Sequence, residues 1–281
     1  MIYVSGAPGN VGTELVKLLA GRGEQVRALV HDPEAGQDLE MPGVETVRGD
    51  LAEPESFART VVGADAVFVN SSRRAISLQA NLIAAAASAG VRRIVDLSWM
   101  GAATDSGSEA VGRWHAEVER HLVECGVAYT ILRASAFMQN YVGQITVNDT
   151  IVGTTATGRA SLVDARDVAA VAATVLTQQG HEGRTYDVTG PQALSNPEVA
   201  AIISRVTGRR VRYVGTTPDL LADGYHRAGL PEWAALDLVA ADVYRARGRL
   251  AQVTDVVERV GRKKPTTFEA FVHELTAATG R

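Results

Sequence analysis

The chain has 281 residues, 46% of them hydrophobic and 21% charged, with 28 basic against 32 acidic side chains and a net charge of −4. That length makes one large domain, or one domain with a smaller lobe, and the mildly acidic balance leaves no electrostatic footprint for nucleic acid or an anionic membrane surface. A single cysteine, Cys125, excludes an internal disulfide and a thiolate zinc centre, and lysines only at Lys17, Lys263 and Lys264 exclude chemistry that needs a central lysine.

Met1 opens directly on Ile2-Tyr3-Val4, with neither a basic nor an apolar leader, so a cytoplasmic protein is expected. No apolar run reaches the length of about 18 residues that a membrane span needs. The first half alternates short Val- and Ile-rich runs, at 2–4, 25–30, 44–47, 66–69, 93–97 and 129–132, with amphipathic stretches at 11–21, 55–62, 77–89 and 109–125. The apolar runs are too short and too β-branched for helices and suit parallel strands buried on both faces. The amphipathic stretches read as helices ending at Gly21, Gly63, Gly90 and Gly126. This alternation predicts an α/β fold with a doubly wound parallel sheet.

The rhythm changes after Ala134. Residues 138–160 have no clear period. Residues 164–178 predict a helix, 184–188 a strand, 195–207 a helix with Ser195 as N-cap, and 210–214 another strand. The remainder, 216–281, is helical in pieces punctuated by Pro218, Pro231 and Pro265, and Arg262-Lys263-Lys264 reads as a solvated turn. The expected division is a sheet domain over 1–137, to which 160–190 return, and a smaller, interleaved C-terminal α/β lobe from 138–159 and 191–281.

The strongest motif follows the first strand: Gly6, Ala7, Pro8, Gly9, Asn10, Val11, Gly12. Three glycines opening a helix let the backbone turn tightly, approach a pyrophosphate and pack closely, while the helix N-terminus offers free N–H groups to phosphate. This predicts dinucleotide binding on a Rossmann-type sheet.

The Gly-x-x-Gly-x-x-Gly spacing resembles that of the extended and atypical short-chain dehydrogenase/reductases. Gly49-Asp50-Leu51, Ile94-Val95-Asp96-Leu97-Ser98, Trp114-His115-Ala116-Glu117-Val118-Glu119, Thr130-Ile131-Leu132-Arg133, Phe137-Met138-Gln139-Asn140, Val163 through Ala169 and Tyr186 through Pro191 extend the likeness. Together they resemble the NmrA-like family of NAD(P)-binding proteins, including its quinone and azo-reductase branch. The resemblance implies adenine contacts at Asp50 and Leu51. The remaining cofactor contacts are expected at Asn70, Ser71 and Ser72 after the fourth strand, and at His115, Ala134 and Phe137.

Cofactor choice is set at the end of the second strand, where an acidic group favours NAD and an arginine accommodates the 2′-phosphate of NADP. The family often has Val-Arg-Asp there; this chain has Val30-His31-Asp32. His31 donates to phosphate without the fixed fork of arginine, and Asp32 turned inward would favour NADH. The family likeness tilts the expectation to NADP(H) over NAD(H), with Arg73 or Arg74 as phosphate neighbours.

No tyrosine is followed four residues on by lysine, so the Tyr–Lys pair of alcohol dehydrogenases and sugar epimerases is absent. His115, near the start of the helix after strand five, is the remaining candidate to face the nicotinamide, with Glu119 one turn on to orient it. Ser98 ends strand five, where ligands bind in such sheets. The competing reading of these residues is an exposed His–Glu pair and a turn hydroxyl. Trp99, Phe137, Met138 and Tyr141 are candidates for an apolar wall or for core, and no third ligand supports a metal. The expected function is hydride transfer to a quinone, enone or imine. The alternative is a non-catalytic NAD(P) sensor. Expected partners are a small-molecule substrate and a second copy in a homodimer, with no nucleic acid and no membrane.

Overall fold

A computed structural model describes residues 1–32, 34–71, 76–103 and 110–279. The first half runs β1 (Ile2–Val4), α1 (Asn10–Gly21), β2 (Val26–Val30), β3 (Val44–Arg48), α2 (Pro54–Val61), β4 (Ala66–Val69), α3 (Ile76–Ser88), β5 (Arg93–Trp99), α4 (Ala110–Glu124) and β6 (Ala128–Ala134). The second continues with α5 (Val142–Thr146), β7 (Thr150–Gly153), β8 (Arg159–Ser161), α6 (Ala165–Thr177), β9 (Arg184–Val188), β10 (Ala193–Ser195) and α7 (Asn196–Thr207). It ends with β11 (Arg212–Gly215), α8 (Pro218–Arg227), α9 (Glu232–Ala246), α10 (Val256–Arg259) and α11 (Phe268–Ala278).

Seven strands form a parallel sheet in the order β3-β2-β1-β4-β5-β6-β9. The central strands β1 and β4 are apolar throughout because helices cover both faces. On one face Val4, Ala28 and Val95 pack with Leu15 and Leu19 of α1 and Val168 and Val171 of α6. On the other, Tyr3, Val67 and Ile94 pack with Phe57, Leu82 and Leu122 of α2, α3 and α4. The order reverses between β1 and β4, and the crevice at the carboxyl ends of these strands is where such sheets take ligands.

A third core joins Met138, Ile145 and Ile151 to Val199, Ile203, Tyr244 and Phe268. It carries two small sheets, an antiparallel β10–β8 pair and a parallel β11–β7 pair. Strands β7, β8 and β10 escape the sequence reading because each spans three or four residues and is defined by a distant partner rather than by its own alternation. Ser195 caps α7 as expected, in a reciprocal box with Glu198.

Two readings are corrected. Helix α1 includes Gly21, and the left-handed glycine that follows is Gly23, at φ 79°. Lys263 is only partly solvated: its Nζ lies 2.5 Å from Oδ1 of Asp167, a wholly buried side chain in the first turn of α6. Thr266 donates both its backbone N–H and its hydroxyl to the same carboxylate. A buried carboxylate requires a cation and donors, and the segment after α10 folds back to supply them. Among the described residues no helix is long and apolar enough to cross a membrane.

Candidate functional site

The turn after β1 is shaped by two glycines that tolerate no side chain. Gly6 adopts φ +61°, and a Cβ there would stand 2.8 Å from Asn70 Nδ2. A Cβ on Gly12 would stand 2.1 Å from Gly6 O and 2.7 Å from Ala7 Cα. Gly9 precedes α1 with no side-chain cap, and no acidic residue occupies the first turn. The positive end of the helix is therefore left to an anion from outside. Ser5 Oγ fastens this turn to the end of β4, donating to Asn70 O at 2.8 Å and accepting from Asn70 N–H at 2.9 Å.

A cleft of about 600 Å³ opens above the switch point. Its floor is Gly6, Pro8, Gly9, Asn10 and Val11; around it stand His31 and Asp32 after β2, Asp50 and Leu51 after β3, Asn70 and Ser71 after β4, and Phe137 after β6. Ala7 and Gly12 lie beneath the floor, and Ala134 is buried in β6 away from the wall. Ser72, with Arg73 and Arg74, lies outside the described residues. The wall also takes Gly49, part of the Gly49-Asp50-Leu51 segment, and Leu29, Ala35, Leu78 and Leu97, which sequence reasoning did not assign to the cofactor. Leu29 and Leu97 lie near strand ends on the switch-point side, which was their only signal, whereas Ala35 comes from the loop after β2 and Leu78 from the first turn of α3. The size and the mixture of apolar wall with a few polar groups are those of a ligand site. The glycine geometry, the uncapped helix end and the cleft fit a dinucleotide.

At the far end His31 Nδ1 lies 3.3 Å from Asp50 Oδ2, with the imidazole 64% exposed. Asp32 also borders the cleft, and its Oδ1 accepts the Glu34 N–H at 3.0 Å within its own loop. A second cavity of about 260 Å³ flanks the same helix end, between Asn10, Thr13, Gln139 and Arg166. Gln139 accepts from the Ala165 N–H and donates to Asp164, joining the loop after β6 to α6.

The expected catalytic trio is placed differently. Along β5, Leu97 belongs to the α1/α6 face and reaches the cleft, whereas Ser98 faces α4. Ser98 Oγ donates to Glu119 Oε1 at 2.5 Å, and Arg133 donates to Oε1 at 2.9 Å and to Oε2 at 2.6 Å. Glu119 is buried and serves Arg133 rather than His115, because a carboxylate enclosed between helix and sheet takes the nearest cation. The bond to Glu119 holds the Arg133 guanidinium above its ordinary range. Beneath them Asp96 is wholly buried, neither oxygen has a hydrogen bond among the described residues, and burial together with the Glu119 charge pushes its carboxyl well above 3.8. His115 packs edge-on against Trp114, with centroids 4.1 Å apart, and neither it, Ser98 nor Glu119 lines the cleft. Phe137 is on the wall, Met138 and Tyr141 are in the third core, and Trp99 packs on Tyr244 at 5.0 Å.

Comparison with known proteins agrees with this geometry. The chain is 38% identical over 285 residues to an NAD(P)H azoreductase of Xenophilus azovorans, covering 100% of this chain and 99% of that one. Quinone oxidoreductase QOR2 of Escherichia coli, solved in complex with NADPH, superposes with a TM-score of 0.88 at 26% identity, over 98% of this chain and 99% of that one. Triphenylmethane reductase of Citrobacter sp., complexed with NADP(H), gives a TM-score of 0.86 at 26% identity, over 98% and 100% of the two chains. The family model described as NmrA-like matches residues 1–272. The chain belongs to the NmrA-like family, whose members include NAD(P)H-dependent reductases.

Proposed function

We propose that the protein is a reductase that uses NADPH in preference to NADH to deliver hydride to a small electrophilic organic acceptor of the quinone, enone or imine type. The observation that carries this reading is the cleft over Gly6, Gly9 and Gly12, whose uncapped helix end suits a pyrophosphate. The activities of the azoreductase, of QOR2 and of the triphenylmethane reductase point the same way. The backbone N–H groups that open α1 would hold the phosphates, Asp50 and Leu51 the adenine, and His31 the ribose side. The nicotinamide, when bound, supplies the hydride. Leu97 and Phe137 would present an apolar wall that keeps water from the reacting face. A quinone takes its protons from solvent, so this chemistry needs no Tyr–Lys pair.

The second reading, an NAD(P) sensor without turnover, draws support from one observation: the hydrogen bonds of Ser98 and Glu119 are directed into the protein. Incubating the protein with NADPH or NADH and a panel of quinone, azo and enone acceptors separates the two. Oxidation of the reduced cofactor well above the uncatalysed rate is expected with at least one acceptor. Tight cofactor binding without oxidation across the panel would establish the sensor instead. For the ribose side, His31→Arg is expected to raise the affinity ratio of NADPH to NADH by about tenfold, through a charge-assisted fork on the 2′-phosphate. An unchanged ratio would show that position 31 does not read the ribose.

A further inference from the structure

His31 stands where the two nicotinamide cofactors differ, and its setting gives its ring two chemical states. It lines the dinucleotide cleft just past β2, together with Asp32, Ala35 and Asp50. Its Nδ1 lies 3.3 Å from Asp50 Oδ2. The same carboxylate is held from its other side, where Oδ1 accepts the Ala52 N–H at 2.9 Å. A carboxylate at this distance keeps a proton on the nitrogen that faces it, so the neutral ring carries its hydrogen on Nδ1 and a lone pair on Nε2. Among the described residues Nε2 has no hydrogen bond, and the imidazole is 64% exposed.

The state of Nε2 decides what the ring can hold. As a lone pair it accepts from a hydroxyl, such as the ribose 2′-OH of NADH, and repels a phosphate oxygen. Once protonated it is a charged donor suited to the 2′-phosphate of NADPH, and it can no longer accept. An arginine has only the second of these states. Imidazole is the side chain that ordinarily changes charge between pH 5 and 8. The charged groups about it do not share that range. Asp32 and Glu34 in the same loop and Asp50 after β3 are carboxylates, a group that ordinarily titrates near pH 4. Arg48, paired with Val30 in the β2–β3 register, stays a cation. Each adds a constant to the preference between cofactors, and the imidazole adds the part that moves with pH.

We propose that His31 is a proton-operated selector of the cofactor: with Nε2 protonated the cleft prefers NADPH, and with Nε2 bare it admits NADH on nearly equal terms. His31 has this role only with a dinucleotide in the cleft, as in the function proposed above. The NADPH preference is then conditional. It strengthens as pH falls through the range in which the ring gains its charge, and it fades above that range. Below about pH 6 the 2′-phosphate itself loses a charge, so the preference is greatest just above that point.

Calorimetry on the full chain with NADP⁺ and with NAD⁺, at pH 6.5, 7.5 and 8.5, tests the selector by binding alone. The ratio of NADP⁺ to NAD⁺ affinity is expected to fall about three- to fivefold from pH 6.5 to 8.5, the size of one exposed charge pair. The ligand's own titration works the other way, because its phosphate gains negative charge as pH rises; a falling ratio therefore reports the protein. His31→Gln, neutral at every pH, is expected to give a low ratio that does not fall, and His31→Arg a high one that does not fall. At pH 7.5 the parent takes up a fraction of a proton with NADP⁺ that it does not take up with NAD⁺, read from the change in binding heat between buffers of different ionisation enthalpy. His31→Gln loses that uptake. A parent ratio that stays flat or rises with pH, or one that falls equally in His31→Gln, overturns the selector and leaves the dinucleotide site standing. Binding of neither nucleotide overturns both.

Discussion

Asp96 is the side chain whose chemistry is most altered by its surroundings. Enclosed without a hydrogen bond and lying beside Glu119, it is held protonated well above the ordinary carboxyl value of 3.8. The unfolded chain gives up that proton at lower pH than the folded one. Above 3.8 the folded state therefore binds more protons than the unfolded, and its stability declines as pH rises toward the folded value. Asp96→Asn preserves the shape and removes the decline; urea melts at pH 5 and pH 8 should differ less in the variant than in the parent, and an equal difference would refute it. Glu119→Gln strips Arg133 of its anion and is expected to cost about 1–3 kcal/mol, read as a lower urea midpoint at unchanged slope. The two sites also separate what the sequence discloses from what it conceals. The Gly6–Gly12 spacing is legible because no other residue type tolerates that geometry. The Ser98–Glu119–Arg133 cluster is not, because it exists only once β5 and β6 pair in register, with Ser98 opposite Arg133.

Helix α7 and helix α6 show how elements are fixed at their ends. Ser195 and Glu198 close a reciprocal cap on α7, and Ser195→Ala is expected to cost about 1 kcal/mol, visible as a lower thermal midpoint. Helix α6 is apolar on nearly all sides, with only two of its thirteen residues outside the buried class, so it belongs between layers rather than on a surface. Its limits were legible from composition alone. Its tether was not: a basic run 96 positions beyond Asp167 carries no local sign that one lysine will enter an ion pair while its neighbours remain outside. Lys263→Ala leaves a buried carboxylate with Thr266 alone and should destabilise by about 1–3 kcal/mol; a melt indistinguishable from the parent would show that the pair contributes nothing.

For the whole molecule, a dinucleotide that binds only the folded chain should raise its stability by about 2.7 kcal/mol at a hundredfold excess over Kd, an upward shift of roughly 5–10 °C at this size. Gly12→Ala, whose Cβ has no space beside Gly6 O, should abolish that shift; a shift equal to the parent's would mean that the ligand lies elsewhere. The seven-stranded sheet was legible in outline because strand–helix alternation fixes it, while the third core is assembled from short pieces whose partners lie far along the chain. One consequence of the α6 tether concerns the order of synthesis. Val256, Val257 and Val260 complete the core on the α1/α6 face, and Lys263 and Thr266 lock them there. During translation the sheet and α6 exist before these residues do, so the outer flank of α6 stays bare until residues 256–266 have emerged. A chain cut before Val256 carries that apolar flank permanently, and residues 256–266 thereby act as the closing step for a face that α1 begins.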